Sequence, residues 1–291
     1  MAVDTFIPKV WAADLFVALR GSQVYAQGGL INRDYEGDIA QSGDTVHIGT
    51  LARPTVSNYV KNVTAIDPQT LSTTDQTFVI DQSKYFAFEV DDVDARQVKD
   101  SGQLLNKAAD ESAFALADGA DLFLSNLMST GAGNVLTAGT AATSDAAYKI
   151  ILALKLKLDK AKVPSAGRWV TVSPEFYALI LQDNRFIDAA AYGSNSALLN
   201  GEVGRILGFQ VLVTMNNPAG TAATLPAVSN FVIAGHAMAT TFAEQISKVE
   251  AYRPQNSFSD AIKGLYLYGA KVVRPEALAV MDVDVTTGLP S

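Results

Sequence analysis

Large apolar residues recur along this chain in two periods, every third or fourth position in some stretches and every second in others. Their order outlines a mixed α/β protein. Phe6, Ile7, Val10, Trp11, Leu15, Phe16 and Leu19 come first, before a polar turn at Arg20-Gly21-Ser22. Trp11, Leu15 and Leu19 stand at helical spacing and predict a short amphipathic helix from about Val10 to Leu19, an arm in need of a surface. Residues 44–51, DTVHIGTL, set Val46, Ile48 and Leu51 among small or polar side chains, the pattern of a half-buried strand. A second extended region runs from Thr77 to Val90, with Phe78 and Ile80 on one face and Phe86, Phe88 and Val90 sharing a face further on. The polar stretch between them carries Val56, Tyr59, Val60, Val63, Ile66 and Leu71 as isolated apolar residues. It far exceeds a hairpin connection of about 2–5 residues. A long two-stranded excursion is predicted, with too little core of its own, floppy in a monomer and ordered against a partner.

The strongest helical pattern follows. Leu105, Ala109, Ser112, Leu116, Ala120, Phe123 and Leu127 step by three or four along one stripe. Asp94 is placed to cap the helix with Gln97 three residues on, and the glycine-rich SNLMSTGAGNV ends it. Unbroken from Ala95 to Leu127, it spans roughly 50 Å. Gly102 and Gly119 oppose it at about 1 kcal/mol each. Residues 145–162 form a second amphipathic pattern. Trp169 to Val172 reads as a strand, followed by a helix capped by Ser173 with Pro174 at its first position. Gly201 to Leu207 is expected to be a short helix stopped by Gly208, and Phe209 to Val213 a strand. Phe231 to Ile233 leads to a glycine turn at Gly235. Thr241 to Tyr252 is expected to be extended with a break, Lys263 to Ala270 and Lys271 to Arg274 to be strands, and the tail DVDVTTGLPS to be loose.

Composition changes this picture in two ways. Hydrophobic residues make up 48% of the chain and charged residues only 18%. The first figure suits a real core. The second is sparse for a free monomer's surface, where roughly a quarter or more of residues are charged. Either neighbours cover much of the surface, or Ser, Thr, Asn and Gln supply its polarity. The formal net charge is −8 and the isoelectric point about 4.8. Lys and Arg are scattered among acids, so the clustered cations that displace counterions from DNA are missing. Tight DNA binding is not expected, although an acidic wall can enclose nucleic acid without affinity for it. With 0 Cys there is no thiolate chemistry or disulfide framework. The start, broken by Asp4, Lys9 and Asp14, is expected not to be a secretory leader. No stretch reaches the roughly 20 apolar residues of a membrane helix. A cytoplasmic product without a membrane partner is the expectation.

Candidate chemistry is thin. His47 falls in a predicted strand and His236 after a predicted turn, so a polar strand face and a turn are their expected roles. The run Glu89-Val90-Asp91-Asp92-Val93-Asp94 lacks the central Gly and closing Glu of a calcium loop, and suits helix capping better. Asp282 and Asp284 are expected to be solvated. Gly131-Ala132-Gly133 lacks the third Gly of a dinucleotide fingerprint, and neither a phosphate-loop Gly-Lys-Ser/Thr nor a Gly-x-Ser-x-Gly elbow occurs. No catalytic, metal-binding or cofactor-binding residue is assigned.

Several stretches resemble, in the same order, the major capsid proteins of tailed bacteriophages of the Hong Kong 97 type. FIPKVWAADLFVALR and VYAQGGLINRDYEGDIAQSGDTVHIG resemble the arm and first loop strand of one branch of that family. FEVDDVDARQVKDSGQLLNKAADESAFALADGAD resembles the second loop strand and spine helix. RWVTVSPEFYALILQDNRF and GEVGRILGFQVLVTMN resemble the axial domain, and YGAKVVRPEALAVM the closing strands.

The resemblance implies a Hong Kong 97-type fold, α/β with mixed α+β character. Residues 1–43 would be an N-terminal arm and 44–90 an extended loop crossing a neighbouring subunit. Residues 91–162 would be a peripheral domain with the spine helix, 163–250 the axial domain, and 251–291 the return strands and tail. Trp11 and Leu15 on the arm, with Val56, Tyr59, Val60, Lys61, Val63, Ile66 and Leu71 on the loop, would be inter-subunit contacts. The implied work is assembly of hexamers and pentamers into an icosahedral head that holds double-stranded DNA without a specific site. The main partner would be the chain itself, with separate scaffolding, portal and decoration proteins as further candidates. The location would be the virion head, assembled in the host bacterial cytoplasm.

Three departures bear on this. No long N-terminal extension resembles a fused scaffolding region, so scaffolding is expected from a separate protein or not at all. The loop between Met215 and Phe231 is too short for the inserted domain of some members. Members that weld their subunits covalently pair a loop Lys with an Asn and a Glu. Lys61 stands in a suitable region without an assignable Asn or Glu, so no cross-link is expected. Two other readings remain: an encapsulin-like nanocompartment shell enclosing cargo enzymes, and a soluble acidic α/β enzyme whose carboxylates or histidines converge in a deep pocket.

Overall fold

The computed structural model describes residues 24–26, 29–34, 45–51, 54–62, 68–70, 73–91, 101–183, 204–218, 229–256 and 258–285. Trp11, Leu15, Val63, Ile66, Leu71, the Asp94–Gln97 cap and the side chains of His47, Leu105 and Ala109 lie outside them.

Strands β1 (Thr45–Leu51) and β2 (Thr73–Val79) pair antiparallel from Thr45 opposite Val79 to Leu51 opposite Thr73. The extended region expected from Thr77 to Val90 is in fact two strands. The chain leaves β2 after Val79, and β3 (Gln82–Asp91) joins a different sheet. The reason is visible in burial: Phe78 and Ile80 are buried in a small core with Ile48, Ala243 and Leu267, whereas Phe86, Phe88 and Val90 are half-buried on the second sheet.

That second sheet has the order β3-β10-β9, from β9 (Thr240–Tyr252) and β10 (Ser259–Val272), all antiparallel. The two strands expected over Lys263 to Arg274 are thus one strand that ends at Val272. The break expected in β9 is a bulge, where the register with β10 shifts between Leu265 and Tyr266. Bulges of this kind admit one extra residue and sharpen the local twist.

Against this sheet lies α1 (Ser101–Gly131), 31 residues long. Its ring contact with β10 is edge-on, Phe123 to Tyr268 at 5.5 Å. The buried line runs through Ala113, Leu116, Ala117, Ala120, Asp121, Leu124, Ser125 and Met128. Relative to the expected stripe it is rotated, so Ser112, Phe123 and Leu127 sit half-buried at its edge. Small residues occupy the closest approach while Phe114 and Leu122 face outward, so side-chain size misled the pattern.

The third sheet has six strands in the order β4-β11-β8-β5-β7-β6. Its members are β4 (Asn134–Ala141), β5 (Arg168–Val172), β6 (Arg205–Ile206), β7 (Phe209–Val213), β8 (Ser229–His236) and β11 (Leu278–Val285). β4 was not apparent from sequence: NVLTAGTA is small and polar, and it holds its place by pairing parallel to β11. Asn134 starts it by donating to the carbonyls of Glu276 and Leu278 at 2.8 and 3.1 Å. α2 (Ser144–Lys160), capped by Thr143, packs on β4, β8 and β11. α3 (Pro174–Leu181) opens as expected, with the Ser173 hydroxyl accepting from the Phe176 N–H.

Three further expectations are corrected. Arg205 to Leu207 is not helical: β6 and β7 form a hairpin whose two turn residues, Leu207 and Gly208, have φ of 52° and 89°. Paired positive φ values are those of a tight turn matched to strand twist. Gly235 is not in a turn but inside β8, between Trp169 of β5 and Leu278 of β11. Nor is the whole tail loose. Asp282 to Val285 completes β11, an interior strand of the sheet, and Asp282 is buried. Acidic letters obscured a strand whose other residues are Leu, Ala, Val and Met.

Leu124 is fully buried, so Leu124→Ala is expected to cost about 2–5 kcal/mol in urea unfolding of the unassembled subunit. Phe114→Ser, on the outward face, should change that stability by less than about 0.5 kcal/mol. Equal losses from the two would place the helix in the wrong rotation.

Candidate assembly surface

Two regions stand out from a self-sufficient fold. One is the far end of the β1–β2 hairpin. Residues 54–62 and 68–70 are all exposed. Val56, Tyr59 and Val60 are 95%, 64% and 55% accessible, and Lys61 lies beside them. The two sides of the tip meet where the Thr55 N–H donates to Gln69 Oε1 at 2.9 Å. Of the sequence-assigned contact residues, these four are therefore brought together on one exposed stretch. The hairpin's root is unlike its tip. It is seated on the β9–β10 sheet, and Lys271 Nζ donates to the Thr77 carbonyl at 2.6 Å.

The other region is residues 24–26 and 29–34, which tie the body together. Asp121 on α1 is buried, and its carboxylate accepts from the Val24 N–H at 2.6 Å and the Ala26 N–H at 3.4 Å. Between them Tyr25 is fully buried, edge-on to Trp169 at 6.4 Å. Its hydroxyl donates to Asn217 Oδ1 and lies 2.9 Å from Thr171 Oγ1. Burial pushes this phenol above its ordinary range, so it stays a donor. Further on, Trp169 Nε1 donates to the Leu30 carbonyl at 2.9 Å. Asn32 forms a parallel bridge with Thr241 of β9. Arg33 reaches the buried Glu244 at 2.7 Å, and Tyr266 donates to that carboxylate at 2.6 Å. One strap of chain thus touches α1, the six-stranded sheet and β9. Sequence reasoning missed it because Asp121 looks like a solvated helix residue by itself.

Other exposed large apolar residues went unassigned from sequence. Tyr85 and Phe258 are 79% and 81% accessible. Tyr85 borders an open groove of about 440 Å³ between β3 and α1, whose charged lining is Lys84 and Glu111. Among the described residues no group of three or more His, Cys, Asp or Glu is placed to hold a metal. His236 ends β8, and its Nδ1 accepts from the Met238 N–H at 3.2 Å, capping a short 3₁₀ turn. No described helix is long and apolar enough to cross a membrane.

Residues 73–281 match the family described as phage capsid protein. The chain belongs to that family. A capsid protein's work is structural, self-assembly into a shell, and its place is the virion head. Solved structures agree. A chain from Mycobacterium phage Che8 is 31% identical, with 89% of this chain and 90% of that one covered and a TM-score of 0.74. The asymmetric unit of the bacteriophage PhiM1 mature capsid is 18% identical, covering 91% and 90%, with a TM-score of 0.64. A virus-like particle from Pyrococcus furiosus is 13% identical, covering 96% and 100%, with a TM-score of 0.56, a likeness of fold alone. No curated protein matches the chain. The Hong Kong 97-type fold expected from the sequence is therefore the capsid protein's fold, and the mixed sheets and long helix are its body.

Burial raises the Asp121 carboxyl to about 6, against the lowering effect of the three strap amides and with a further upward push from Asp118. A carboxyl raised in the folded state destabilises the fold when ionised. Its contribution is therefore most favourable below about pH 4 and declines as pH rises through about 6. Urea unfolding of wild type and Asp121→Asn from pH 7 to 4 tests this. The wild-type advantage should grow on acidification by an amount on the order of 3 kcal/mol. A pH-independent difference would mean that Asp121 is not desolvated by the strap.

Proposed function

We propose that this capsid protein forms hexamers and pentamers that close into an icosahedral phage head around double-stranded DNA, with the β1–β2 tip docking on a neighbouring copy. The observation that carries the reading is the contrast within one hairpin: a root with its own buried core, and a tip bearing Val56, Tyr59 and Val60 in the open. Apolar residues held out together on a supported projection favour a covering partner. Trp11 and Leu15 of the arm, with Lys61, Val63, Ile66 and Leu71 of the loop, complete the contact set. Residues 1–43 serve as the arm, 44–90 as the extended loop, 91–162 as the peripheral domain, 163–250 as the axial domain and 251–291 as the return strands and tail.

The mechanism is mechanical, without catalysis or cofactor. Buried apolar area contributes roughly 25 cal/mol per Å², less the ordering of loop and arm. Contacts repeated by symmetry then close a shell without any single strong one. A net charge of −8 suits a container that does not grip its DNA. No covalent cross-link is part of this reading, since Lys61 has no assigned Asn and Glu. Assembly takes place in the host bacterial cytoplasm, with portal and decoration proteins as candidate partners and scaffolding from a separate protein or not at all. The likeness to the Pyrococcus furiosus virus-like particle supports a second reading, an encapsulin-like shell around cargo enzymes. The identity of 31% to the Che8 phage chain against 13% to that particle favours the phage head. Double-stranded DNA or protein cargo inside purified particles separates the two.

Leu51 and Thr73 stand opposite each other, so residues 52–72 can be replaced by Asn-Gly to close a two-residue turn. The shortened chain is expected to keep its circular dichroism and cooperative melt while stopping at monomers or unlinked capsomers in negative-stain microscopy. Closed shells of normal size from this variant would remove the tip from the assembly mechanism.

A further inference from the structure

The hairpin leaves the body through a packed root. Ile48, Phe78 and Ile80 are buried against Ala243 of β9 and Leu267 of β10, with Val273 packed alongside. Immediately beyond, β2 crosses over Gly269 of β10. A Cβ at Gly269 would stand 2.5 Å from the Val79 carbonyl oxygen, 2.9 Å from Ile80 Cα and 3.2 Å from the Val79 carbonyl carbon. All three are backbone atoms, which cannot swing aside as a side chain can. The φ of Gly269 is not in the left-handed region. The position needs glycine for space, not for conformation. Lys271 to the Thr77 carbonyl, at 2.6 Å, holds the same crossing from the side.

We propose that Gly269 is a positioning residue for shell assembly: the backbone crossing it permits sets the angle at which the β1–β2 hairpin projects, and with it the curvature of the shell. The inference rests on the reading that the hairpin tip docks on a neighbouring copy. Leverage gives the crossing its effect. Seven strand residues at ~3.4 Å each reach about 24 Å, so a tilt of about 5° at the root displaces the far end by about 2 Å. Packed interiors transmit such strain because there is no free volume to absorb it. A docking surface displaced by that much meets its neighbour at a different angle in every repeat.

Gly269→Ala and Gly269→Val are expressed under conditions in which the wild-type chain closes shells. Gly49→Ala is the control, a glycine of the same hairpin whose added Cβ meets open space. The Gly269 variants are expected to keep their circular dichroism and a cooperative melt, at a lowered temperature, but to lose closed shells of wild-type diameter, leaving capsomers or particles of other sizes. Gly49→Ala should give wild-type shells. The pair Ile80→Val with Leu267→Val trims the root instead of crowding it and should broaden the distribution of diameters. This pair decides the matter if a Gly269 variant does not fold. Wild-type diameters, narrowly distributed, in folded Gly269 variants or in the trimmed pair would overturn the proposal. If the hairpin-shortened chain also closes normal shells, the docking reading itself fails. If the shortened chain stops at capsomers while the Gly269 variants close normally, docking stands and only the angle assignment falls.

Discussion

A carboxylate buried within the apolar line of a long helix has to be given hydrogen-bond donors, because an unpaired charge away from water is among the costliest features a fold can hold. Asp121 is such a group, and its donors are main-chain amides of the segment around Tyr25. Satisfying it fixes that segment against α1. Tyr25 then falls beside Trp169 and Thr171 of β5, and Leu30 receives the indole N–H. Asn32 and Arg33 carry the strap to β9 and Glu244. Among the described residues the two larger sheets share no paired strands, and beside their common apolar core they are bridged by a polar network anchored on one helix residue.

Such a body is suited to a subunit that must transmit force without rearranging its core. The strap and the hairpin root are both tied to the body, one by hydrogen bonds at Asp121 and Glu244, the other by packing at Phe78 and by the crossing at Gly269. Among the exposed apolar residues, Val56, Tyr59 and Val60 stand together at the hairpin tip, and Tyr85 lies beside the groove. A protein that works by contact between copies needs this division: interior contacts strong enough to hold shape, and exterior ones weak enough to be made many times.

Much of the architecture was legible along the chain. Helical spacing marked α1 and α2, Ser173-Pro174 marked the start of α3, alternation marked β1, and short apolar runs marked β5 and β7, because local periodicity and capping depend on neighbours in sequence. The likeness to tailed-phage capsid proteins was legible too, through several weak stretches in the right order. The tip residues Val56, Tyr59, Val60 and Lys61 were visible as apolar or cationic residues with no core nearby.

Tertiary structure decided the rest, wherever the stabilising partner is distant in sequence. β4 is a strand because β11, far along the chain, pairs with it. Asp282 lies in a strand despite its charge because its neighbours in β11 are covered on both sides by β4 and β8. The split of Thr77–Val90 into two sheets follows from the competing claims of β1 and β10 on one extended segment. Asp121 becomes a buried clasp, and Gly269 a backbone crossing, only once Val24 and Val79 arrive beside them. Sequence pattern records what a residue prefers alone; these positions are set by what the folded chain brings to meet them.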